Sequence, residues 1–382
     1  CGLHSQIRRK RIVWDPFIAN ALVSLYGKCK VIDMAEYVFG SVIEPSSVVL
    51  WNAMCSAYVE SGQEEKALQL YTQMREENIS PDDATYVITV QACAALAEKE
   101  GSIDLEGVIS IPLQIGHALH TLSHYQGSSS NILVNNTLIT MYGKFGARLE
   151  AESLFCGFSQ RSIMSWNAML SVYIETDQPE KALLLYMQMR EINEIPDQRT
   201  FVIILQACIV LAENEENLPV KEKVAKSVSL EVGKALHTDA SKQGFAYDAF
   251  VGSALVCMYA ACSFLAGVEY VFGVIKYRDL VTWNAVLSAY VDQGHGENAL
   301  LTYKKMLLDG EAPNQRTFVI ILQACVLMVE KEETLLVNGL EAKMVSLYIG
   351  QAVHMDADRI GFTGDVFVGN SLISMYGKCG SI

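Results

Sequence analysis

Three asparagines recur at one repeated position of the chain, where they could take part in hydrogen-bonding chemistry. Asn52, Asn167 and Asn284 each follow a tryptophan, at separations of 115 and 117 residues. A side-chain amide carries two N–H donors and a carbonyl acceptor, so it can distinguish partners by the donors and acceptors that they present. The spacing therefore favours recognition by hydrogen bonds. The alternative is that each amide only bonds to the local backbone.

The cysteines and histidines could do metal or acid–base chemistry, but their positions favour packing. The ten cysteines include two repeat-matched sets, which are Cys93, Cys208 and Cys325, and Cys29, Cys262 and Cys379. No Cys-x-x-Cys pair occurs, which predicts small buried thiols in a reducing compartment. The histidines His4, His120, His237 and His354 also recur at the repeat spacing, as packing residues would. We predict no catalytic residue, no metal site and no cofactor.

The elements that must position the asparagines repeat about every 116 residues. Around Trp51, apolar residues follow the i, i+3, i+4, i+7 spacing of one helix face, and a second such helix starts after Gly62. Pro81, Pro196 and Pro313 end the equivalent hairpins. Units of this kind bury their apolar faces against their neighbours. The prediction is an all-α fold, an α-solenoid of helix–turn–helix repeats wound as a right-handed superhelix.

We divide the single array of residues 1–382 into hairpin units, with three units in each long period. The first units are 16–47, 132–162 and 249–279, the second units are 48–82, 163–197 and 280–314, and the third units are 83–131, 198–248 and 315–365. Residues 1–15 and 366–382 are partial units. The third units are longer than the other units. Their additional residues are predicted to lie between the two helices of the unit as a solvated loop, for example over 213–226. The alternative is a loop that docks a protein.

Composition restricts the classes of function that the chain can have. It is 51% hydrophobic, which supplies a core. Its longest apolar runs, near 201–212 and 318–329, are too short to span a bilayer, so no membrane insertion is predicted. The net charge of −14 weighs against a nucleic-acid-binding protein, a class that is usually basic. Part of this charge lies in the surplus segments of the third units.

Three sequence motifs resemble those of pentatricopeptide repeat proteins. Residues 281–290, with 297–300 and 312–314, resemble the P-type motif. Residues 366–380 resemble the short S-type motif, and 317–325 with 350–354 are similar to the long L-type motif. The first, second and third units are thus S, P and L units, and this alternation is typical of the plant PLS subclass. The Trp-x-x-Leu-Gly-x-x-Tyr start of the related tetratricopeptide repeat is absent.

The resemblance implies that the fifth and last residues of a unit read one RNA base. The implied pairs are Asn20 with Ser47, Asn52 with Asp82, Asn136 with Ser162, Asn167 with Asp197, Ser253 with Asp279, and Asn284 with Asn314, while Asn370 begins a further pair. The implied single-stranded target is 5′-CUNCUNGCNN-3′. The L units have Val87, Val202 and Val319 at the fifth position, where no base is assigned. Asp82 and Asp197 could instead serve as helix N-caps.

The second residues of the S and P units are implied to stack on the bases. They are Phe17, Val49, Leu133, Met164, Phe250 and Val281. Arg199 and Arg316 take this position in two L units, where a positive side chain would instead meet phosphate.

The resemblance implies sequence-specific binding of single-stranded RNA in a mitochondrion or chloroplast, as a specificity factor for RNA processing or C-to-U editing with partner proteins. It implies no enzyme activity for these residues, so a deaminase would be a missing C-terminal domain or a partner. No targeting peptide is visible. The chain begins at Cys1 and ends within a repeat, which we interpret as a fragment. The alternative function is a protein-interaction scaffold without RNA, which the negative charge supports.

Overall fold

The structure is a computed structural model that describes residues 16–42, 47–100, 111–125, 131–158, 160–216, 226–331, 335–337, 340–342 and 344–380. The first partial unit, including His4, lies outside these residues. The helices are α1 Pro16–Lys28, α2 Ile32–Ser41, α3 Val48–Glu60, α4 Glu64–Glu76, α5 Asp83–Glu100, α6 Ile111–Tyr125, α7 Ile132–Lys144, α8 Arg148–Cys156, α9 Ile163–Glu175, α10 Pro179–Glu191, α11 Gln198–Glu216, α12 Lys226–Lys242, α13 Ala249–Ala261, α14 Leu265–Val274, α15 Leu280–Asp292, α16 Gly296–Leu308, α17 Gln315–Lys331, α18 Met344–Ile360 and α19 Val366–Cys379.

Helices α3 and α4 show how the sequence builds one hairpin. Helix α3 buries Trp51, Met54 and Cys55 on one face and ends before Gly62, which has a φ of 77°. This left-handed backbone conformation is accessible to glycine at little cost, so the chain can reverse there. Helix α4 carries two glutamates in its first turn, where a carboxylate is stabilised by the helix dipole. The hairpin therefore follows from apolar spacing and a glycine turn.

The chain divides into two compact units, residues 1–195 and 196–382. In each unit the odd-numbered helices pack on one another in order, which forms one layer. Each even-numbered helix packs against the odd-numbered helix before it, which forms the second layer. The predicted all-α helical-repeat fold is confirmed, and the right-handed superhelix stays a prediction. The described residues add one antiparallel hairpin, β1 Leu335–Val337 with β2 Leu340–Ala342, in which Leu336 is opposite Glu341.

Repeat-matched tryptophans anchor the core between successive hairpins. Trp51, Trp166 and Trp283 are at most 3% exposed. Each meets a phenylalanine edge-on, with ring centroids 5.1 Å apart for Phe39–Trp51, 5.2 Å for Phe155–Trp166 and 4.9 Å for Phe272–Trp283. Edge-to-face contacts of this kind add to the stability gained by burial. These tryptophans thus pack in the core at the contact between successive hairpins.

The repeat-matched histidines join the two layers in the L units. Nδ1 of His120, His237 and His354 lies 2.9, 2.8 and 2.9 Å from the hydroxyl oxygens of Tyr142, Tyr259 and Tyr376. Burial lowers the pKa of His120 and of His237, so both imidazoles are neutral near pH 7. Each bond links an even-numbered helix to the next odd-numbered helix. The geometry is that of a packing histidine.

The cysteines agree with the prediction of buried thiols at most of the repeat-matched positions. The nine described cysteines are free, and burial raises the pKa of Cys93 and of Cys325 to about 12. The prediction is wrong for Cys29, which is exposed. The reason lies one turn earlier on the helix: Met258 covers the buried Cys262 at 4.0 Å between sulfur atoms, whereas the equivalent Leu25 is itself 51% exposed.

The L units differ from the prediction of a surplus confined to a loop. Helices α5, α11 and α17 contain 18, 19 and 17 residues, whereas α3, α9 and α15 in the P units contain 13 each. Part of the surplus therefore continues the first helix, because the apolar run of the L motif extends the buried face. The rest falls on residues 101–110, 217–225 and 332–343, most of which lie outside the described residues.

We expect Gly27→Ala to destabilise the protein by about 1–3 kcal/mol, because it overpacks the odd-numbered layer. A Cβ at Gly27 would lie 2.7 Å from Cβ and 3.0 Å from Cα of Ala57 on the next odd-numbered helix. Gly40→Ala is the matched control, since a Cβ there meets no atom within 4 Å. It should stabilise helix α2 by roughly 0.5–1 kcal/mol. Urea unfolding of both variants measures the difference, and equal midpoints would contradict the close packing of α1 on α3.

Candidate nucleic-acid interface

The first P-unit pair is joined by hydrogen bonds between neighbouring odd-numbered helices. Asn52 lies on α3 with 8% of its surface exposed, and Asp82 immediately precedes α5. The Asn52 amide nitrogen donates to Asp82 Oδ1 at 2.9 Å. The hydroxyl oxygen of Thr85 lies 2.7 Å from Asn52 Oδ1 and 2.8 Å from Asp82 Oδ1. These three side chains therefore form one network at the start of α5.

Asp82 is also a helix cap, as the alternative interpretation of the sequence predicted. Its Oδ1 accepts the backbone N–H of Thr85 at 2.8 Å, and Asp197 Oδ1 accepts that of Thr200 at 2.8 Å. Burial acts to raise the pKa of Asp82, but the hydrogen bonds from Thr85 and Asn52 outweigh it and hold the pKa below its usual range. Asp82 is thus an ionised acceptor at neutral pH.

Capping leaves hydrogen-bonding capacity at the pair. The described contacts of Asp82 all use Oδ1, so its Oδ2 retains its acceptor sites. Asn52 donates only one of its two amide hydrogens to the described residues. The pair therefore presents one carboxylate acceptor beside one N–H donor, and a partner that offers the complementary groups can bind to it.

The same network recurs around Asn284 in the third P unit. Its amide nitrogen donates to Asn314 Oδ1 at 3.3 Å, and the hydroxyl of Thr317 donates to Asn284 Oδ1 at 2.8 Å. Asn314 Oδ1 accepts the backbone N–H of Thr317 at 3.0 Å, so Asn314 caps α17. The carboxylate of the first pair is replaced by an amide, which adds N–H donors.

The S-unit pair of Ser253 and Asp279 is also brought together. The hydroxyl of Ser253 donates to Asp279 Oδ1 at 3.2 Å and contacts the hydroxyl of Thr282. Asp279 caps α15 through the backbone N–H of Thr282 at 2.8 Å. Three of the implied pairs thus share one arrangement, in which the last residue caps a helix and bonds to the fifth residue of its own unit.

Two implied S-unit pairs are not joined among the described residues. Asn136 is 7% exposed, and neither its amide nitrogen nor its amide oxygen has a partner in the described part of the chain. Ser162 instead bonds to Ser165, with 3.1 Å between hydroxyl oxygens. Asn20 Oδ1 is likewise buried without a described partner, and Ser47 makes no side-chain capping bond. A buried amide without a partner costs about 1–3 kcal/mol, which a bound polar ligand could offset.

Asn167, Asp197 and Asn370 complete the implied reading residues. Asn167 is buried on α9 in the first compact unit, and Asp197 caps α11 in the second. Asn370 lies exposed on α19. The hydroxyl residues Thr85 and Thr317 were not among the predicted site residues, although their position three residues after a capping Asp or Asn is a recognisable N-terminal pattern.

The six implied stacking residues are all exposed on the first turn of an odd-numbered helix. Their exposed fractions are 86% for Phe17, 53% for Val49, 49% for Leu133, 53% for Met164, 68% for Phe250 and 61% for Val281. Each stands three residues before the fifth residue of its unit, so the apolar side chain and the reading position lie close on one helix. Arg199 and Arg316 are exposed at the same position of two L units.

A cleft in the first compact unit connects two neighbouring reading positions. Its volume is about 320 Å³, and its lining includes Asn20 and Asn52 with the stacking residue Val49 between them in sequence. Lys28 and Glu60 also line it. Polar and apolar groups of the implied site thus open onto a single concave surface.

The electrostatics of the odd-numbered layer are mixed rather than basic. The Lys144 ammonium lies 2.8 Å from a Glu175 oxygen and 3.0 Å from a Glu98 oxygen. The hydrogen bond to Glu175 is the largest contribution to a raised pKa of Lys144. Lys378 is 3.1 Å from Glu330. A phosphate that approaches these lysines must compete with carboxylates, which agrees with the net charge of the chain.

Neither a metal centre nor a membrane segment is found in the part of the chain that the structure describes. No three histidine, cysteine, aspartate or glutamate side chains among the described residues meet in an arrangement that could hold a metal ion. None of the described helices combines the length and apolarity needed to cross a bilayer.

The chain is an α-helical repeat protein. It consists of helical hairpins that repeat a polar residue at the fifth position and an apolar residue at the second position of the S and P units. A family model described as the PPR repeat family matches residues 46–95, 161–209 and 278–326. The chain carries these pentatricopeptide repeats and belongs to that repeat family.

Similar curated proteins come from Arabidopsis thaliana. Pentatricopeptide repeat-containing protein At2g33680 is 30% identical over 81% of this chain and 38% of its own length. Pentatricopeptide repeat-containing protein CRR2, chloroplastic, is 32% identical over 81% of this chain and 44% of its length. Pentatricopeptide repeat-containing protein At3g02330, mitochondrial, is 30% identical over 81% and 33%. The chain thus spans less than half the length of these relatives.

Among solved structures, the chain matches the pentatricopeptide repeat protein PPR10 in complex with an 18-nt psaJ RNA element. The TM-score is 0.41 at 15% identity, over 93% of this chain and 66% of that chain. It also matches PPR10 from maize, with a TM-score of 0.31 at 16% identity, over 96% of this chain and 62% of that chain.

Proposed function

We propose that the chain binds single-stranded RNA and reads one base with each S and P unit. The observation that carries the proposal is the row of exposed apolar side chains on the odd-numbered helices, each three residues before a reading position. Bases stack on aromatic side chains at about 1–3 kcal/mol per base, and apolar side chains can also pack against the face of a base. A neighbouring amide, hydroxyl or carboxylate can then test the exposed edge of the base. The proposed target is 5′-CUNCUNGCNN-3′.

The proposed base assignments agree with the groups that each pair leaves unused. Uracil presents an N–H donor beside a carbonyl, which complements the free carboxylate oxygen of Asp82 and the free N–H of Asn52. Cytosine has a ring nitrogen that accepts at the same place, so the amide N–H of Asn314 suits it. Guanine presents N–H donors at that edge, which suits the carboxylate of Asp279.

The buried amide of Asn136 supports the same proposal. Its nitrogen and oxygen have no partner among the described residues, although it occupies the reading position of its unit. A cytosine edge supplies both a donor and acceptors, so it would satisfy both atoms of the amide once the buried Asn136 side chain turns toward the surface. RNA binding would thus supply hydrogen-bond partners to a polar group that has none among the described residues of the folded chain.

We further propose a role in organellar RNA processing, with C-to-U editing and its partner proteins as the specific setting. Relatives of the chain carry the names mitochondrial and chloroplastic. The alternation of S, P and L units points to the PLS subclass. In this proposal the chain supplies recognition without catalysis, and a deaminase acts from elsewhere.

A binding titration with two labelled ten-nucleotide RNAs tests the proposal. The first is 5′-CUACUAGCAA-3′, and the second, 5′-AACAGCAUCU-3′, has the same composition in a different order. We expect the first to bind at least tenfold more tightly, because a difference of only 1.4 kcal/mol gives about a tenfold ratio. Equal affinities, measured on protein with the expected helical circular dichroism, would refute sequence-specific reading.

Phe250→Ala should weaken binding of 5′-CUACUAGCAA-3′ by about 5- to 150-fold, which corresponds to the roughly 1–3 kcal/mol of one stacked base. Phe250 is 68% exposed on α13, so the change should leave the fold intact. Leu301→Ala is the matched control, because Leu301 is 67% exposed on the even-numbered helix α16. Fluorescence anisotropy measures both variants, and an equal loss in the two would contradict a stacking role for Phe250.

A protein-interaction scaffold is the competing function, and the net charge of −14 favours it. The carboxylates that hold Lys144 also reduce attraction for phosphate. This function predicts no measurable binding of either ten-nucleotide RNA. It also predicts that substitutions at the reading positions leave protein partners bound.

A further inference from the structure

The L units contain a second kind of polar pair, which joins the first residue of the unit to the last. The Gln198 amide nitrogen donates to Asp248 Oδ1 at 2.6 Å. That of Gln315 donates to both carboxylate oxygens of Asp365, at 2.9 and 2.8 Å. In the first L unit the roles are exchanged, since the Asn131 amide donates to Asp83 Oδ2 at 2.5 Å. Each of the three complete L units thus joins an amide to a carboxylate across about 50 residues of sequence.

This pair occurs where the pair of the S and P units is impossible. The fifth residues of the L units are Val87, Val202 and Val319, and valine has no hydrogen-bonding side chain. The position three residues after the last residue is also valine, at 134, 251 and 368. Five of the six other junctions carry a hydroxyl residue there, which is Thr85, Ser165, Thr200, Thr282 or Thr317, and the sixth carries Leu50. Residues one and five lie one turn apart on the same helix face. The polar pair of the L units therefore lies one helical turn from the place of the S- and P-unit pairs, on the same helix face.

The Gln198–Asp248 pair keeps the hydrogen-bonding capacity of the Asn52–Asp82 pair. Asp248 Oδ1 accepts from Gln198 and from the backbone N–H groups of Phe250 and Val251, at 2.9 and 3.3 Å for the latter two. Its Oδ2 takes part in none of the described contacts. Gln198 retains one of its amide hydrogens. A carboxylate acceptor again stands beside an N–H donor, and both side chains are half-buried.

Hydrogen bonds hold the carboxylate of the second pair, Asp365, in its ionised form. Backbone N–H groups of Val368 and Phe367 and the amide of Gln315 donate to Asp365. The bond from Val368 contributes most to a pKa of Asp365 below its usual range, so the carboxylate is ionised at neutral pH and only accepts hydrogen bonds.

Exposed aromatic side chains stand beside both of these pairs. Phe250 follows Asp248 by two residues and is 68% exposed, and Phe367 follows Asp365 by two residues and is 67% exposed. Val281 likewise follows Asp279, the last residue of the Ser253–Asp279 pair, by two residues. The L-unit pair therefore has the same relation to a stacking surface as the pairs that are proposed to read bases.

We propose that the L units also read a base, through their first and last residues, and prefer a base with a ring N–H beside a carbonyl, which is uracil or guanine. The inference rests on the proposed RNA-binding function. It assigns bases three, six and nine of the target, which the fifth-and-last pairs leave open. Gln198 with Asp248 reads base six, and Gln315 with Asp365 reads base nine.

Competition binding with seven RNAs, in two sets of four that share 5′-CUACUAGCAA-3′, tests this assignment. Four are 5′-CUACUNGCAA-3′ with each base at position six, and four are 5′-CUACUAGCNA-3′ with each base at position nine. We expect U and G to bind about tenfold more tightly than A and C in both sets. Gln198→Leu should abolish the difference at base six and keep it at base nine, while Gln315→Leu should do the reverse. Each variant is therefore the control for the other.

The fold is checked separately, because both glutamines also hold a capping residue. The melting temperatures of the two variants show whether either is unfolded, and Gln198→Glu, which keeps the side-chain length but loses the amide donor, replaces a leucine variant that does not fold. Equal binding of all bases at positions six and nine, with discrimination kept at bases five and eight, would overturn the L-unit inference alone. Loss of discrimination at every position would overturn the proposed function as well.

Discussion

Trp283→Ala is expected to lower the free energy of unfolding by about 3–5 kcal/mol, the typical cost of removing a large buried aromatic side chain. Trp283 is 1% exposed and meets the edge of Phe272 with ring centroids 4.9 Å apart. The Arg278 guanidinium lies 4.6 Å from the Phe272 ring centroid and donates to the Phe272 carbonyl oxygen at 2.9 Å. Alanine would leave a cavity and remove the surface on which these groups pack.

Urea unfolding followed by circular dichroism measures this effect. Tyr277→Ala is the control, because Tyr277 lies close in sequence but is 69% exposed, and its loss should change the free energy of unfolding by less than about 0.5 kcal/mol. A Trp283→Ala variant as stable as the control would contradict the claim that the tryptophan holds successive hairpins together.

Asn314→Asp is expected to change the preferred base at position eight from cytosine to uracil. The substitution replaces an amide that donates with a carboxylate that accepts, which recreates the Asn52–Asp82 pair at Asn284. The variant loses one preference and gains the other. The difference in binding free energy between the cytosine RNA and the uracil RNA should therefore change by about 2–6 kcal/mol, since one good pair is worth about 1–3 kcal/mol. Capping of α17 should persist, because Asn and Asp cap helices about equally well.

Asp82→Asn is the reciprocal control for this switch. It should change the preferred base at position two from uracil to cytosine and leave position eight unchanged. Competition between RNAs that differ only at these two positions measures both variants. A variant whose preference stays the same at its own position, with its melting temperature retained, would contradict the assignment of that pair.

The sequence predicts the hairpins well because the helix signals are local. Trp51, Met54 and Cys55 follow the spacing of one helix face, and Gly62 interrupts it, so the bounds of α3 follow from neighbouring residues alone. The length of α11 was harder to predict, because its polar end over residues 213–216 resembles a loop in composition and yet continues the helix.

The site is predictable where a pair follows the family pattern and less so where packing intervenes. The bond between Asn52 and Asp82 agrees with the implied pairing. The bond between Asn136 and Ser162 is missing, because the hydroxyl of Ser165 occupies the partner position of Ser162. The L-unit pairs could not be found by examining fifth residues, since the interacting side chains lie at the first and last positions, about 50 residues apart.

The most direct test of the account is selection of bound sequences from a random pool of single-stranded RNA by the purified chain. We predict enrichment of C-U-N-C-U-N-G-C. The order of these bases follows the order of the units along the chain, from unit 16–47 to unit 280–314. A helical, cooperatively folded sample that enriches no sequence, or enriches one without this order of bases, would contradict RNA reading by these residues.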